Sequence, residues 1–341
     1  MKAVFWQVIA CAIFFALGQF CQRPNDYTSD SYIRSSFTSS LVPDPVDHAG
    51  LNSMHDSRKA FLVVAVISSP INTDRRRAVR QTWLNLEGHL RTEVVHFFVV
   101  GTKGLHSEVV EDLNAEDAEN RDMLLLPNVE DSFDQLTTKV LATFVQLHMS
   151  IDFNYLLKVD DDSFVVIGRV VDELMQNNYP SDLYWGYFNS APVIRSVKSE
   201  DSIYARYIET EYVLCDHYIP YALGGGYVLS ASLVSFISDN AERLKLYRAE
   251  DASVGTWLAP LKIERVHDTR FDTAAISRGC ANTNLVSHKQ SVEAMWSKQR
   301  SLVSRGMLCD QETVVYTAYE YNWNVEPFNC CPKKTGHIKN V

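Results

Sequence analysis

The chain has 341 residues, 46% of them hydrophobic and 22% charged, which supplies one large core and is too apolar for a disordered protein. A formal net charge of -10 excludes a generalised basic surface, so no nucleic acid partner is expected. A neutral ligand, or one gripped by a few local charges, suits that balance.

From Ala3 to Cys21 the sequence is apolar except for Gln7 and Gln19, with Lys2 before it and Arg23 after it. Residues 1–21 therefore read as a short N-terminus and a signal-anchor crossing the membrane, with the bulk of the chain in the lumen. Ala16, Leu17 and Gly18 also form a small-x-small cleavage site, so a removable signal peptide is the competing reading. Residues 22–58, rich in Ser, Asp, Pro and Asn without sustained periodicity, read as a stem. That leaves residues 59–341 as the lumenal domain.

The domain opens at Phe61 with FLVVAVISS, a continuous β-branched run that suits a strand buried on both faces. Further runs follow at Val94 (VVHFFVVG), Met123 (MLLLP) and Tyr155 (YLLKV). Between the last two, Leu136, Val140, Phe144 and Leu147 make one apolar stripe. This predicts a helix over 134–149, with Ser132 and Gln135 as its capping box. Strands alternating with helices imply an α/β fold with a mostly parallel central sheet flanked by helices. Ligands of such sheets collect at the carboxyl ends of the strands.

Asp160, Asp161 and Asp162 stand at that edge, immediately after the fourth apolar run. Alternation in an extended segment lets Asp160 and Asp162 converge on one hard cation, Mn²⁺ or Mg²⁺, while Asp161 points elsewhere. A solvated acidic loop is the plainer alternative, and the apolar SFVVI that follows weighs against it. Of seven cysteines, Cys11 and Cys21 lie in or beside the apolar N-terminal segment, while Cys215, Cys280, Cys309, Cys330 and Cys331 fall in the second half. None forms a CxxC pair, which argues against zinc and for one or two disulfides in the C-terminal part.

The ordered segments resemble the β-1,3-galactosyltransferase family. INTDRRRAVRQTW, EDSFDQLTTKV, KVDDDSF, YIPYALGGGYVLS and AEDASVGTWLAPL occur in the family's order over about residues 60–330. The tail, with ERVHDTRFDT, SRGC, LVSHKQS and the closing Cys330-Cys331, is similar to the branch that builds the proteoglycan linkage region. The resemblance implies a GT-A-like nucleotide-sugar-binding fold and a metal-dependent, inverting enzyme anchored in the Golgi membrane. It further implies UDP-galactose as donor and galactosyl-xylose on a proteoglycan core protein as acceptor.

The resemblance also assigns roles. Asp251 matches the catalytic base, although by chemistry alone either Glu250 or Asp251 could serve, or both could merely favour a helix N-terminus. His288 matches a further metal ligand beside Asp162 and Asp160, with His267 as its rival. Arg77 and Arg80 fit the family spacing for nucleotide contacts; Lys139 and Asp161 are added on the donor side. Gly225 and Gly226 with Tyr221 are expected to shape the floor of an acceptor site, Trp185 to offer its ring to a sugar or else to lie in the core, and Glu250 to touch the acceptor. Related β-1,3-transferases that use N-acetylglucosamine or N-acetylgalactosamine, a phosphoester hydrolase and a non-catalytic glycan-binding domain are the alternatives.

Overall fold

The computed structural model describes residues 59–86, 93–177, 179, 181–198 and 204–331. The expected signal-anchor and stem lie outside these residues. Among the described residues no helix is long and apolar enough to cross a membrane.

The chain begins with β1 (Lys59–Ile67), α1 (Thr73–Gln81), β2 (Val94–Gly101), α2 (Ser107–Asn120) and β3 (Met123–Leu126). It continues through α3 (Leu136–Ser150), β4 (Asp152–Asp160), β5 (Phe164–Val165), α4 (Ile167–Gln176), β6 (Leu183–Asn189) and β7 (Tyr221–Ser230). Then come α5 (Ala231–Asp239), α6 (Glu250–Leu258), β8 (Glu264–His267), β9 (Phe271–Asp272), β10 (Gly279–Cys280), β11 (Val286–Ser287), α7 (Val292–Arg305) and β12 (Thr313–Val314). All four apolar runs of the sequence are strands.

The main sheet has the order β3-β2-β1-β4-β7-β6-β8, parallel throughout except where β7 runs against both β4 and β6. The mostly parallel sheet expected from the sequence is therefore present. On β1, Val63 and Ala65 face one core while Leu62, Val64 and Val66 face the other, and all five are fully buried. Each buried Val or Leu there contributes about 1.5–3 kcal/mol on leaving water, which is why an unbroken Val/Leu run forms a central strand. Helices α3, α5 and α6 cover the first face. Helices α1, α4 and α7 supply Val79, Val170 and Met295 to the second.

Helix α3 carries the predicted stripe, with Val140, Phe144 and Leu147 buried. Its start differs from expectation. A 3₁₀ turn over Phe133–Gln135 precedes it, and the Gln135 amide donates to the Ser132 carbonyl at 3.2 Å, so the Ser132 side chain caps nothing. Strands β6 and β7 have no simple apolar run. In β6 an added Cβ on Gly186 would stand 2.9 Å from that of Ala222, so the small residue permits the close approach of β6 to β7.

Beyond the main sheet, β11 joins β5 and β9 in a small three-stranded sheet, and β10 pairs with β12. A Cys280–Cys309 disulfide ties β10 to the segment after α7, Cys330 is joined to Cys331, and Cys215 is free and exposed. Two C-terminal disulfides with one thiol left over match the cysteine count.

Candidate active site

The end of β4 turns sharply, with Ser163 N–H donating to Asp160 O at 3.0 Å and Asp161 N–H to Ile67 O at 3.0 Å. The turn separates the three carboxylates. Asp161 is drawn back, accepting from Ser68 and Asn72 on Oδ2 at 2.7 and 2.8 Å and from Arg75 on Oδ1 at 3.0 Å. Asp160 and Asp162 are turned together, as alternation requires.

His288 joins them because β11 pairs with β5, which directly follows the triplet; the Gln290 amide then donates to Asp162 O at 2.7 Å. The His288 Nε2 atom lies 3.3 Å from Asp160 Oδ2 and 3.0 Å from Asp162 Oδ1. Its Nδ1 faces the Ala274 carbonyl at 3.2 Å, an acceptor, which leaves Nε2 as the ligand atom of the neutral ring. Ligand atoms of Asp160, Asp162 and His288 all lie within 4.8 Å of one another. Asp162 Oδ1 and His288 Nε2 are both buried and face each other at 3.0 Å, and neither makes a well-aligned hydrogen bond. Buried orphan atoms cost free energy unless something pairs them, and two carboxylates with an imidazole fit a divalent cation. Burial opposes the charged form of His288, yet with no cation between them the adjoining Asp160 and Asp162 carboxylates outweigh it and lift the ring to about 9, so a cation binding there displaces the Nε2 proton.

Gly225 makes this convergence possible. A Cβ there would lie 2.6 Å from ring atoms of His288 and 2.8 Å from Thr273 O. A Cβ on Gly226 would crowd Val286 and Val159 at 3.0 and 3.1 Å. These glycines are therefore the packing surface beneath His288 and β11, not the floor of a sugar site as expected.

Asp251 stands on the other side of β7, at the start of α6. It accepts from the Gly224 amide at 2.9 Å and from its neighbour Ala252 at 2.9 Å, one bond to each oxygen, so each oxygen keeps a lone pair for a further donor. Burial raises its carboxyl above the usual range, with the two amides and Lys158 opposing. Glu250 is only 5% exposed and turns inward, accepting from Tyr227 Oη at 2.6 Å and Lys158 at 3.3 Å. Burial lifts it to about 7. It is a support behind Asp251 and has no free face for an acceptor.

Other expectations are corrected. Arg77 is exposed and pairs with Asp74 one turn away. Arg80 is locked by Glu116 at 2.7 Å and Asp122 at 2.8 Å, over the Phe98 ring, where it braces α1 against the sheet. Arg75 is the member of that cluster that reaches the triplet, 3.0 Å from Asp161 and 3.7 Å from Asp162. Spacing alone does not separate these arginines, because fewer than two turns of α1 present them to three different surroundings. Lys139 is buried, bonded to Ser68 O and to Asp131, so it steadies the end of β1 from beneath. Trp185 is fully buried and donates its indole N–H to Asp268 at 3.0 Å; Tyr221 is packed in an aromatic cluster with Tyr218. Neither offers a ring face. His267, the rival ligand, is held by the Phe188 amide and stacks on Tyr319, away from the triplet.

Two residues were missed. Lys289, at φ 59°, places its ammonium 3.1 Å from Asp162 Oδ2. Tyr207, 37% exposed, packs its ring edge on Phe133 at 5.2 Å, and burial together with the Asp251 charge holds its phenol above the ordinary range. An exposed aromatic in an unpatterned loop leaves no periodic signal, whereas Lys289 could have been found as the neighbour of His288.

A family model described as Galactosyltransferase matches residues 74–269. The mouse protein beta-1,3-galactosyltransferase 6 is 44% identical over 281 residues, covering 82% of this chain and 84% of its own length. A probable beta-1,3-galactosyltransferase 8 from Arabidopsis thaliana is 30% identical over 219 residues, 62% of this chain and 54% of that protein. Human N-acetyllactosaminide beta-1,3-N-acetylglucosaminyltransferase 4 is 29% identical over 269 residues, covering 74% of this chain and 68% of its own.

Proposed function

The chain belongs to the galactosyltransferase family, and from that membership we propose that it transfers galactose from UDP-galactose to the 3-hydroxyl of a galactosyl-xylose acceptor on proteoglycan core protein. The observation that carries this reading is the pairing of a cation cradle, Asp160, Asp162 and His288, with a carboxylate, Asp251, across one strand of the sheet.

Asp160, Asp162 and His288 would hold Mn²⁺ or Mg²⁺, with Mn²⁺ as the expected ion. A divalent cation bound there supplies positive charge for the departing diphosphate. Arg75 and Lys289 flank the outer oxygen of Asp162 from two sides, so their charges can turn toward the same phosphates when the donor enters. Asp161 holds Arg75 in that position.

On the acceptor side, Asp251 takes the proton of the 3-hydroxyl as the oxygen attacks the anomeric carbon of galactose. The bond from that carbon to the diphosphate oxygen breaks, its electron pair leaves with UDP, and the α-linked donor becomes a β-linked product. Burial keeps Asp251 a stronger base than a free aspartate. Tyr207 supplies an exposed ring on this side for a sugar face.

The proposed setting is the Golgi lumen, with the apolar segment at residues 3–21 as a type II anchor. The human relative that carries N-acetylglucosaminyltransferase in its name makes another donor the reading to be tested against. The deciding experiment presents the enzyme with Mn²⁺, a panel of UDP-sugars and a galactosyl-xyloside, and identifies the linkage by NMR. A β-1,3-galactosyl product is expected. Transfer of another sugar, or UDP release without transfer, would replace the reading.

A further inference from the structure

Lys158 lies two residues before Asp160 on β4, so both side chains leave the strand on the same side. It is 1% exposed, and its ammonium has three acceptors on three elements: Asp160 Oδ1 at 2.9 Å, Gly224 O on β7 at 2.6 Å, and Glu250 Oε2 on α6 at 3.3 Å. Gly224 in turn donates its amide to Asp251 Oδ2 at 2.9 Å. A single glycine thus links the buried ammonium to the base. A Cβ on it would stand 3.0 Å from Glu250 and 3.3 Å from Asp251.

We propose that Lys158 is a positioning residue that sets the distance between the donor-side cradle and the acceptor-side base, by tying Asp160, Gly224 and Glu250 to one buried point. The inference rests on the transfer reaction proposed above and names a residue that touches neither substrate. Stability alone gives no reason for the arrangement. Burying an ammonium with its carboxylate is costly, and replacing the Lys158–Glu250 pair together by apolar side chains of similar volume would be neutral or stabilising. What an apolar side chain lacks is direction: it cannot hold a carboxylate of β4, a carbonyl of β7 and a carboxylate of α6 at fixed separations. Transfer needs that fixity, because the hydroxyl and the anomeric carbon meet in line only when both sides are in register.

The test uses Lys158→Met and the double variant Lys158→Met/Glu250→Gln, which removes the buried charges as a pair. Three quantities are read on each: affinity for UDP with Mn²⁺ by calorimetry, turnover with acceptor, and slow UDP release by water without acceptor. Release by water serves as the internal reference, since water is small and mobile and needs no aligned base. In both variants transfer should fall by about 100-fold while UDP affinity and release by water change by no more than a few-fold. If the double variant regains full transfer, Lys158 only neutralises Glu250 and the proposal is overturned. Parallel loss of transfer, release and UDP affinity, or failure of both variants to fold, likewise overturns it in favour of a stability role. Wild-type protein in the same assay separates the two readings, because absence of galactose transfer there would count against the proposed reaction and not against Lys158.

Discussion

The Nε2 atom of His288 lies 3.0 Å from Asp162 Oδ1, and neither atom makes a well-aligned hydrogen bond. The two residues are 126 positions apart, and they meet because β11 pairs antiparallel with β5, immediately after the triplet. Such an arrangement could hold a cation, and on the proposed reading its removal should be felt in nucleotide binding before it is felt in folding.

Replacing Asp162 with Asn or His288 with Gln should therefore abolish the Mn²⁺-dependent part of UDP binding. Turnover should fall by about 100-fold or more, as loss of several kcal/mol of charge stabilisation implies. Calorimetry with and without EDTA checks this. UDP binding that ignores both the metal and the substitution would refute the cradle.

Asp251→Asn keeps the shape of the side chain and loses the proton acceptor. The expected result is a fall in kcat of about 10²- to 10⁴-fold, with UDP affinity in Mn²⁺ unchanged. Equal loss in both measurements would mean that the residue holds the donor site together instead.

Gly225→Ala puts a methyl group 2.6 Å from the imidazole of His288, with backbone of residue 273 closing the other side. The ring must shift, so metal-dependent UDP binding should weaken by about tenfold or more, although Gly225 itself offers no ligand atom. Mn²⁺ titration followed by paramagnetic broadening of the His288 resonances reads the displacement directly.

Arg75 and Arg80 lie within two turns of one helix and should behave differently. Arg75→Ala should weaken UDP binding and leave thermal stability near wild type. Arg80→Ala should lower stability by roughly 1–3 kcal/mol and leave UDP affinity intact, since it strips buried Asp122 of its guanidinium partner, while Glu116 keeps Arg76. Acid dependence supplies a second check. Burial pushes the Asp122 carboxyl up, but Arg80 and His96 outweigh it and hold it at about 2. Because the folded value is below the unfolded one, the stabilisation is fully present above about pH 4 and is lost as pH falls toward 2. Asp122→Asn should flatten the stability profile in that window.

Much of this was legible from the residues alone. Strands buried on both faces are apolar along most of their length, so β1 to β4 show as apolar runs, and with them the sheet edge where Asp160 and Asp162 emerge. The partners brought in by topology were less visible. Arg75, Arg77 and Arg80 are one chemical type on a single short helix, and only the packing of α1 decides which one faces the triplet. For Trp185 the sequence leaves open a sugar-facing ring or a core position, and the indole N–H bonded to Asp268 shows the core position; Tyr221, expected at the floor of an acceptor site, is held inside by its aromatic cluster. Gly225 and Gly226, expected to shape the floor of an acceptor site, instead take the close approach of His288 and Val286 from other elements.

The reversed direction of β7 has a consequence for biogenesis. As the chain emerges, β1 to β4 can assemble from neighbouring sequence, but β4 keeps a bare hydrogen-bonding edge until Tyr221–Ser230 arrives about sixty residues after it ends. In that interval Lys158 and Asp160 lack their later partners, and a Val/Leu-rich strand lies open to pairing with another copy. A nascent chain stalled before β7 should therefore be a chaperone client and prone to aggregation, and the bound nucleotide can protect the enzyme only after that strand has closed the sheet.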